Sequence, residues 1–229
     1  MLYPLSYWGI GTRARAGLPF FKRKDLLFDH AGDLLGEVLF LLLDALALLE
    51  ADGVNELADG ITYTQTPSGE DEKGVVFGEG KLVFSGDGRL TVTANGKSGI
   101  VSDDYVRFLA SPSVSIVSKA GHGVKGKDSV MVDNATLDIT VSANMKKGIT
   151  SDGTVRIDGG TTTITVSGGA AYDSDDQSYS GTAGIKADGQ FEMNGGTLAI
   201  TNSGSGGKGI SGDAKGYFSG GTVSVITTG

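Results

Sequence analysis

Four residues after each of six recurring glycines the chain carries Gly78, Asp103, Lys127, Asp152, Asp188 and Asp213. If these positions stack in register, neighbouring carboxylates lie about 5 Å apart, and like charges directly opposite one another are destabilising. Lys127 falls between Asp103 and Asp152 and compensates that part of the row. Asp152, Asp188 and Asp213 have no lysine in register, although Lys186 and Lys215 lie close in sequence. An oxygen-rich cluster in a chain without cysteine suits a hard cation, and Ca²⁺ takes six to eight oxygens from carboxylates, carbonyls and water. Calcium is therefore expected near Asp152, Asp188 and Asp213, with Asp173, Asp175 and Asp176 as auxiliary ligands. The alternative is plain: aspartate at a turn also bonds its own backbone, and an exposed acidic row can simply be solvated.

Cations and aromatic rings form the second candidate set. Arg107 and Arg156 fall at alternate, outward positions of a short apolar strand, and Lys125 and Lys186 fall beside the recurring glycines. Such a row can pair carboxylates on a ligand, with arginine the better bidentate partner, or it can be ordinary charged surface. Tyr105, Tyr172, Tyr179 and Tyr217 offer an apolar ring with a polar tip, the combination that stacks on a sugar. His122 lies in Ala-Gly-His-Gly-Val with no second histidine nearby and reads as a solvated turn residue.

The elements that must position these residues follow from a repeat. A glycine followed by a β-branched residue recurs as Gly74-Val75, Gly99-Ile100, Gly123-Val124, Gly148-Ile149, Gly184-Ile185 and Gly209-Ile210, spaced by 25, 24, 25, 36 and 25 residues. After each comes a short alternation such as Val130 and Val132 or Val155 and Ile157, then a turn, then a second alternation such as Leu137 and Ile139 or Ile164 and Val166. The turn is written Asp158-Gly-Gly-Thr161, Asn194-Gly-Gly-Thr197 and Ser219-Gly-Gly-Thr222. Period-two alternation bounded by glycine and Asx marks short strands with one buried face, and a fixed period marks stacked units. Three short strands per unit make one coil of a right-handed parallel β-helix. Ile100, Val124, Ile149, Ile185 and Ile210 are expected as a column in its core. At about 4.8 Å per coil, six coils make a rod of roughly 29 Å. The unit spaced by 36 residues carries 11 extra, which include Asp173-Ser-Asp-Asp176.

Composition bounds the partners. The 229 residues carry a net charge of -8, 38 glycines and no cysteine. No basic stripe is present to neutralise phosphates, so nucleic acid is not an expected partner. The lack of cysteine excludes a disulfide scaffold, a thiolate metal site and a cysteine nucleophile.

Residues 1–53 differ from the rest. A basic cluster at Lys22, Arg23 and Lys24 precedes a leucine-rich stretch, Asp25 to Glu50, interrupted by Asp29, Asp33, Glu37 and Asp44. Its uncharged apolar run from Val38 to Leu43 is far short of the roughly 20 residues of a membrane span, and it is too deep and too acidic for a signal peptide. Two readings stand: an amphipathic helix capping the solenoid, or a start that is not native to the domain. The solenoid domain is expected over 54–229, as a monomer without a transmembrane segment. More coils are expected after Gly229, because the sequence stops directly after a Thr-rich strand.

From about Val54 the chain resembles a known family. Asn55-Glu-Leu-Ala-Asp-Gly-Ile-Thr-Tyr63, Gly69-Glu-Asp-Glu-Lys-Gly-Val-Val-Phe77, Gly99-Ile-Val-Ser-Asp-Asp-Tyr-Val-Arg-Phe108 and the later Gly-Ile-Lys-Ala-Asp and Gly-Gly-Thr motifs are similar to those of the bacterial carbohydrate-binding β-helix family. The resemblance implies a pectate-lyase-like fold, calcium binding, a cellulose-like or acidic, uronate-containing polysaccharide as partner, and an extracellular or cell-surface setting. Within that frame Tyr105, Arg107, Lys125, Arg156 and Lys186 are the expected carbohydrate contacts. Non-catalytic binding is expected, because the only insertion is too short to build a cleft. The alternatives are a calcium-dependent polysaccharide lyase, with an arginine or lysine base, and a structural adhesin or spacer.

Overall fold

A computed structural model describes residues 47–63, 73–110, 112–174 and 177–229, and among these every regular element is a strand. The chain enters with β1 (Ala47–Glu50) and β2 (Val54–Ala58). Full coils follow as β3 (Gly74–Gly78), β4 (Leu82–Ser85) and β5 (Arg89–Ala94), then β6 (Ser98–Ser102), β7 (Tyr105–Phe108) and β8 (Ser113–Ser118). The next two are β9 (Val124–Gly126), β10 (Ser129–Val132) and β11 (Thr136–Val141), and β12 (Lys147–Ser151), β13 (Thr154–Ile157) and β14 (Thr161–Val166). A hairpin of β15 (Ala171–Asp173) and β16 (Ser178–Ser180) interrupts the series. Two coils close it: β17 (Ala183–Ala187), β18 (Phe191–Met193) and β19 (Thr197–Asn202), then β20 (Lys208–Gly212), β21 (Gly216–Phe218) and β22 (Thr222–Thr227).

Each strand pairs in parallel with its counterpart one coil away, giving three sheets. The first holds β1, β4, β7, β10, β13, β18 and β21, the second β2, β5, β8, β11, β14, β19 and β22, and the third β3, β6, β9, β12, β17 and β20. This is a parallel β-solenoid of about six turns and about 25 residues per coil, as the repeat predicts.

Alternation sets the register, because a slip of one residue would send every apolar side chain to the other face. The inner row of the third sheet runs Val76, Ile100, Val124, Ile149, Ile185 and Ile210. Ile100, Val124, Ile149 and Ile185 are fully buried and Ile210 packs partly against them. Each fully buried branched side chain contributes about 1.5–3 kcal/mol, and the column packs against the inner rows of the other two sheets in one continuous core. The recurring glycines let the second and third sheets meet. A Cβ on Gly148 would stand 2.3 Å from Ile164 Cγ2, and one on Gly184 would stand 2.4 Å from Ile200 Cγ2. At the Gly-Gly-Thr turns the second glycine, Gly160, Gly196 or Gly221, has φ of 77°, 76° or 84°, a left-handed conformation that glycine adopts without steric cost.

Two readings of the sequence need correction. The first is a register slip in the opening coil. Gly74 pairs with Ser98 rather than with Gly99, so Val76, not Val75, aligns with Ile100, and Glu79, not Gly78, precedes Asp103 in the acidic row. Val75 takes the place of the repeat glycine here, so the Gly74-Val75 pair imitates the motif one residue early. The second concerns the boundary at residue 54. The sequence leaves residues 1–53 as either a capping helix or a start not native to the domain, whereas Ala47–Glu50 forms β1, which pairs with β4 from Ala47↔Leu82 to Glu50↔Ser85. Ala51 is 1 % exposed within the core, and its N–H donates to the Ser85 carbonyl at 2.8 Å. A leucine-rich segment can supply a strand as readily as a helix once an unpaired sheet edge is available to it. The remainder of the N-terminal segment, 1–46, lies outside the described residues.

Candidate functional site

The acidic row exists, but lysine is its neighbour. Ser151, Ala187 and Gly212 are in register across β12, β17 and β20, so the residues that follow them, Asp152, Asp188 and Asp213, come from consecutive coils. Asp188 is ion-paired with Lys186 of its own coil, and Asp152 lies 4.0 Å from Lys125. Asp103, earlier in the row, is held by Lys73 at 2.6 Å. Asp213 is exposed. The neutralising lysines thus come from the outer row of the third sheet, two residues before the ladder position in Lys125 and Lys186, and not from Lys127. Among the described residues no three histidine or carboxylate side chains converge to hold a metal ion. Asp173 is on the hairpin strand β15, and Asp175 and Asp176 lie outside the described residues.

The five expected carbohydrate contacts divide between two sheets. Tyr105, Arg107 and Arg156 project from the first, where Arg107, Met131 and Arg156 form one outer row. Both arginines are committed. Arg107 donates from Nε and Nη2 to Asp133 Oδ2 at 2.8 and 2.5 Å, a contact that raises its already high pKa. Arg156 Nε lies 2.9 Å from Asp158. Tyr105 has the Lys81 ammonium 5.7 Å from its ring centre. Lys125 and Lys186 belong to the outer row of the third sheet, separated by Thr150.

A more concentrated feature adjoins Lys186. Lys147, Ala183 and Lys208 are in register on β12, β17 and β20. Two lysines therefore stand two coils apart, about 9–10 Å by strand spacing, with only a methyl group between them. The resulting notch has a volume of about 70 Å³, and Lys186, Ser180 and Thr182 complete its walls. Buried Asn202 fixes its lower edge by donating to the Lys208 carbonyl at 2.9 Å and to Thr182 Oγ1 at 3.3 Å. The Lys147 ammonium donates to the Met145 carbonyl at 2.7 Å. Burial first, and then Lys186, Lys146 and Lys208, hold Lys147 below the usual lysine range. Lys208 has no ion-pair partner among the described residues.

The 11-residue insertion supplies the adjoining surface. In its antiparallel hairpin Tyr172 pairs with Tyr179, the rings meet edge to face at 5.5 Å, and the residues are 55 % and 78 % exposed. Tyr179 precedes Ser180 of the notch wall, so an apolar platform and a cationic recess are joined through one strand. The position immediately before the repeat glycine carried the signal for this recess. Read down the coils it is His122, Lys147, Ala183 and Lys208, a row in which two lysines flank a small residue.

His122 occupies the same row one coil above Lys147 and is not a solvated turn residue. Its Nδ1 accepts from the Lys147 backbone N–H at 3.0 Å, and its own N–H donates to Ser98 Oγ at 3.0 Å. Burial, with Lys147, Lys146, Lys125 and Lys186 adding to it, pushes its pKa down to about 3. At neutral pH it is an uncharged acceptor that ties two coils together.

No helix among the described residues is long and apolar enough to cross a membrane. No match is found among curated proteins or among solved structures. Over residues 44–154 the chain is similar to the family described as "Carbohydrate-binding domain-containing protein".

Proposed function

We propose that this protein binds polysaccharide without turnover, at the surface formed by the insertion hairpin and the adjoining lysines of the third sheet. The observation that carries the reading is the pair of exposed, edge-to-face tyrosines beside a cationic recess. The family match over residues 44–154 supports the carbohydrate class. Aromatic faces take the apolar side of a sugar ring while the phenol oxygens stay in water, and nearby ammonium groups favour an acidic polymer over a neutral, cellulose-like one.

Binding without chemistry is supported by the small size of the recesses at this surface and at the last coil. The notch of about 70 Å³ and a cavity of about 140 Å³ at the last coil are small against the roughly 300–1,000 Å³ of ligand clefts. A lyase would need an arginine or lysine free to take a proton, and Arg107 and Arg156 are each ion-paired with an aspartate. Calcium assistance is a proposal that rests on the Asp152, Asp188, Asp213 row and on the acidic run from Asp173 to Asp176. A polymer ligand implies an extracellular or surface setting.

Affinity electrophoresis through gels containing polygalacturonate, cellulose derivatives or neutral dextran tests the reading. The wild-type chain should be retarded most by an acidic polymer, and Tyr172→Ala/Tyr179→Ala should lose most of the retardation with an unchanged melting temperature. Unsaturated products absorbing in the ultraviolet would establish the lyase instead, and lack of retardation on every polymer would leave a spacer. For calcium the readout is the melting temperature: Ca²⁺ that binds only the folded chain should raise it, and Asp175→Asn/Asp176→Asn should diminish the rise.

A further inference from the structure

The lysine recess holds more positive charge than its surroundings cancel. Lys147, Lys186 and Lys208 line it, and of the neighbouring carboxylates only Asp188 is ion-paired there, with Lys186. Three cations less one anion leaves an excess of two, in a protein whose net charge is -8. Like charges this close repel, and Lys147 and Lys208, neither in an ion pair among the described residues, are kept together by register and by the Asn202 bond to Lys208.

The donor set indicates which anion would fit. Carboxylate is planar and is best met by the two-pronged guanidinium of arginine, yet no arginine lines the recess. Lysine is a point charge with three rotatable donors, and three of them at different heights around a small hollow surround a centre rather than grip an edge. The hydroxyls of Ser180 and Ser211 stand at the same walls and add neutral donors. The hollow, about 70 Å³, is several times the roughly 10–15 Å³ that one water molecule requires.

We propose that the notch over Ala183, between Lys147 and Lys208, binds a tetrahedral oxyanion, a sulfate or phosphate ester borne by the polysaccharide; the ester's carrier, though not the anion site itself, rests on the function proposed above. Lys147 and Lys208 clamp the group from consecutive sides, Lys186 meets it from the coil between, and the hairpin tyrosines hold the sugar that carries it.

The test begins with inorganic sulfate and inorganic phosphate titrated calorimetrically into the full chain at low ionic strength. Both should bind, and Lys208→Gln or Lys147→Gln should weaken each by about fivefold or more, the equivalent of one exposed charge contact of about 1 kcal/mol. Lys208 is exposed, so its variant should melt as the wild type does, and Lys215→Gln should bind as the wild type does. Gels containing dextran sulfate, phosphorylated dextran, polygalacturonate or plain dextran then identify the ester. Lys208→Gln should reduce retardation most on the sulfated or the phosphorylated polymer, less on polygalacturonate, and not on plain dextran. Equal binding of both anions by wild type and Lys208→Gln, with tyrosine-dependent retardation intact, overturns the oxyanion site and spares the polysaccharide reading. Lysine-dependent anion binding with no retardation on any polymer does the reverse. Loss confined to polygalacturonate would assign the recess to carboxylate and overturn the proposal.

Discussion

His122 illustrates how one residue links the coils to pH. Its imidazole is held at about 3 in the fold against about 6.5 when unfolded, so between these values the unfolded chain binds a proton that the folded chain refuses. Its contribution is complete above pH 6.5 and is lost as pH falls toward 3, by at most about 1.4 kcal/mol per pH unit. Urea melts at pH 7 and pH 5 should differ less for His122→Asn than for wild type; equal differences would remove His122 from the account. Gly148 makes a steric counterpart. Its added Cβ would meet Ile164 Cγ2 at 2.3 Å and the Gly184 carbonyl at 2.7 Å, so Gly148→Ala should cost about 1–3 kcal/mol, the usual penalty of overpacking, as a drop in the denaturation midpoint. Glycine counts alone do not distinguish a residue needed for such an approach from one needed for a turn. The steric role became visible only once Ile164 was seen opposite it.

At the scale of elements, the turns before Lys147 and Lys208 share a left-handed residue, Met145 with φ of 63° and Gly206 with φ of 67°. A side chain there costs roughly 1–2 kcal/mol. Met145→Gly should therefore stabilise the protein by up to about 1 kcal/mol, after the added freedom of the unfolded chain is subtracted, and chemical denaturation measures it. Replacing residues 171–180 by a short Gly-Ser linker should leave the melting transition nearly unchanged and abolish polysaccharide retardation, because the hairpin pairs only with itself. The strands themselves were legible, since Val130 and Val132 or Ile164 and Val166 alternate over a buried face. The recess was not. Lys147 and Lys208 are 61 positions apart, and an insertion of uneven length separates them, so they become neighbours only after every intervening coil is placed. Arg107 and Arg156 were correctly read as outward, but their aspartates, Asp133 and Asp158, lie at strand ends where sequence spacing does not reveal an ion pair.

For the molecule as a whole, the repeat made the architecture readable from Gly74 onward, because no single coil can bury its own apolar side. It failed at the entrance, where β1 has no glycine signature and is recognised only by its pairing with β4. Removal of residues 1–46 should retain every strand pair described, whereas removal of 1–53 also takes β1 and Ala51 and should lower the melting temperature by several degrees; equal transitions for the two truncations would show that β1 contributes nothing. Both long connections, 59–73 and 167–182, join a strand of the second sheet to the next strand of the third, while the other connections in the coils are only a few residues long. Heredity can therefore act on two variables separately. On the binding proposed above, the number of coils sets reach and durability and the hairpin at that seam sets what is recognised, so a new specificity can be acquired by exchanging a loop without the rest of the sequence having to solve folding again.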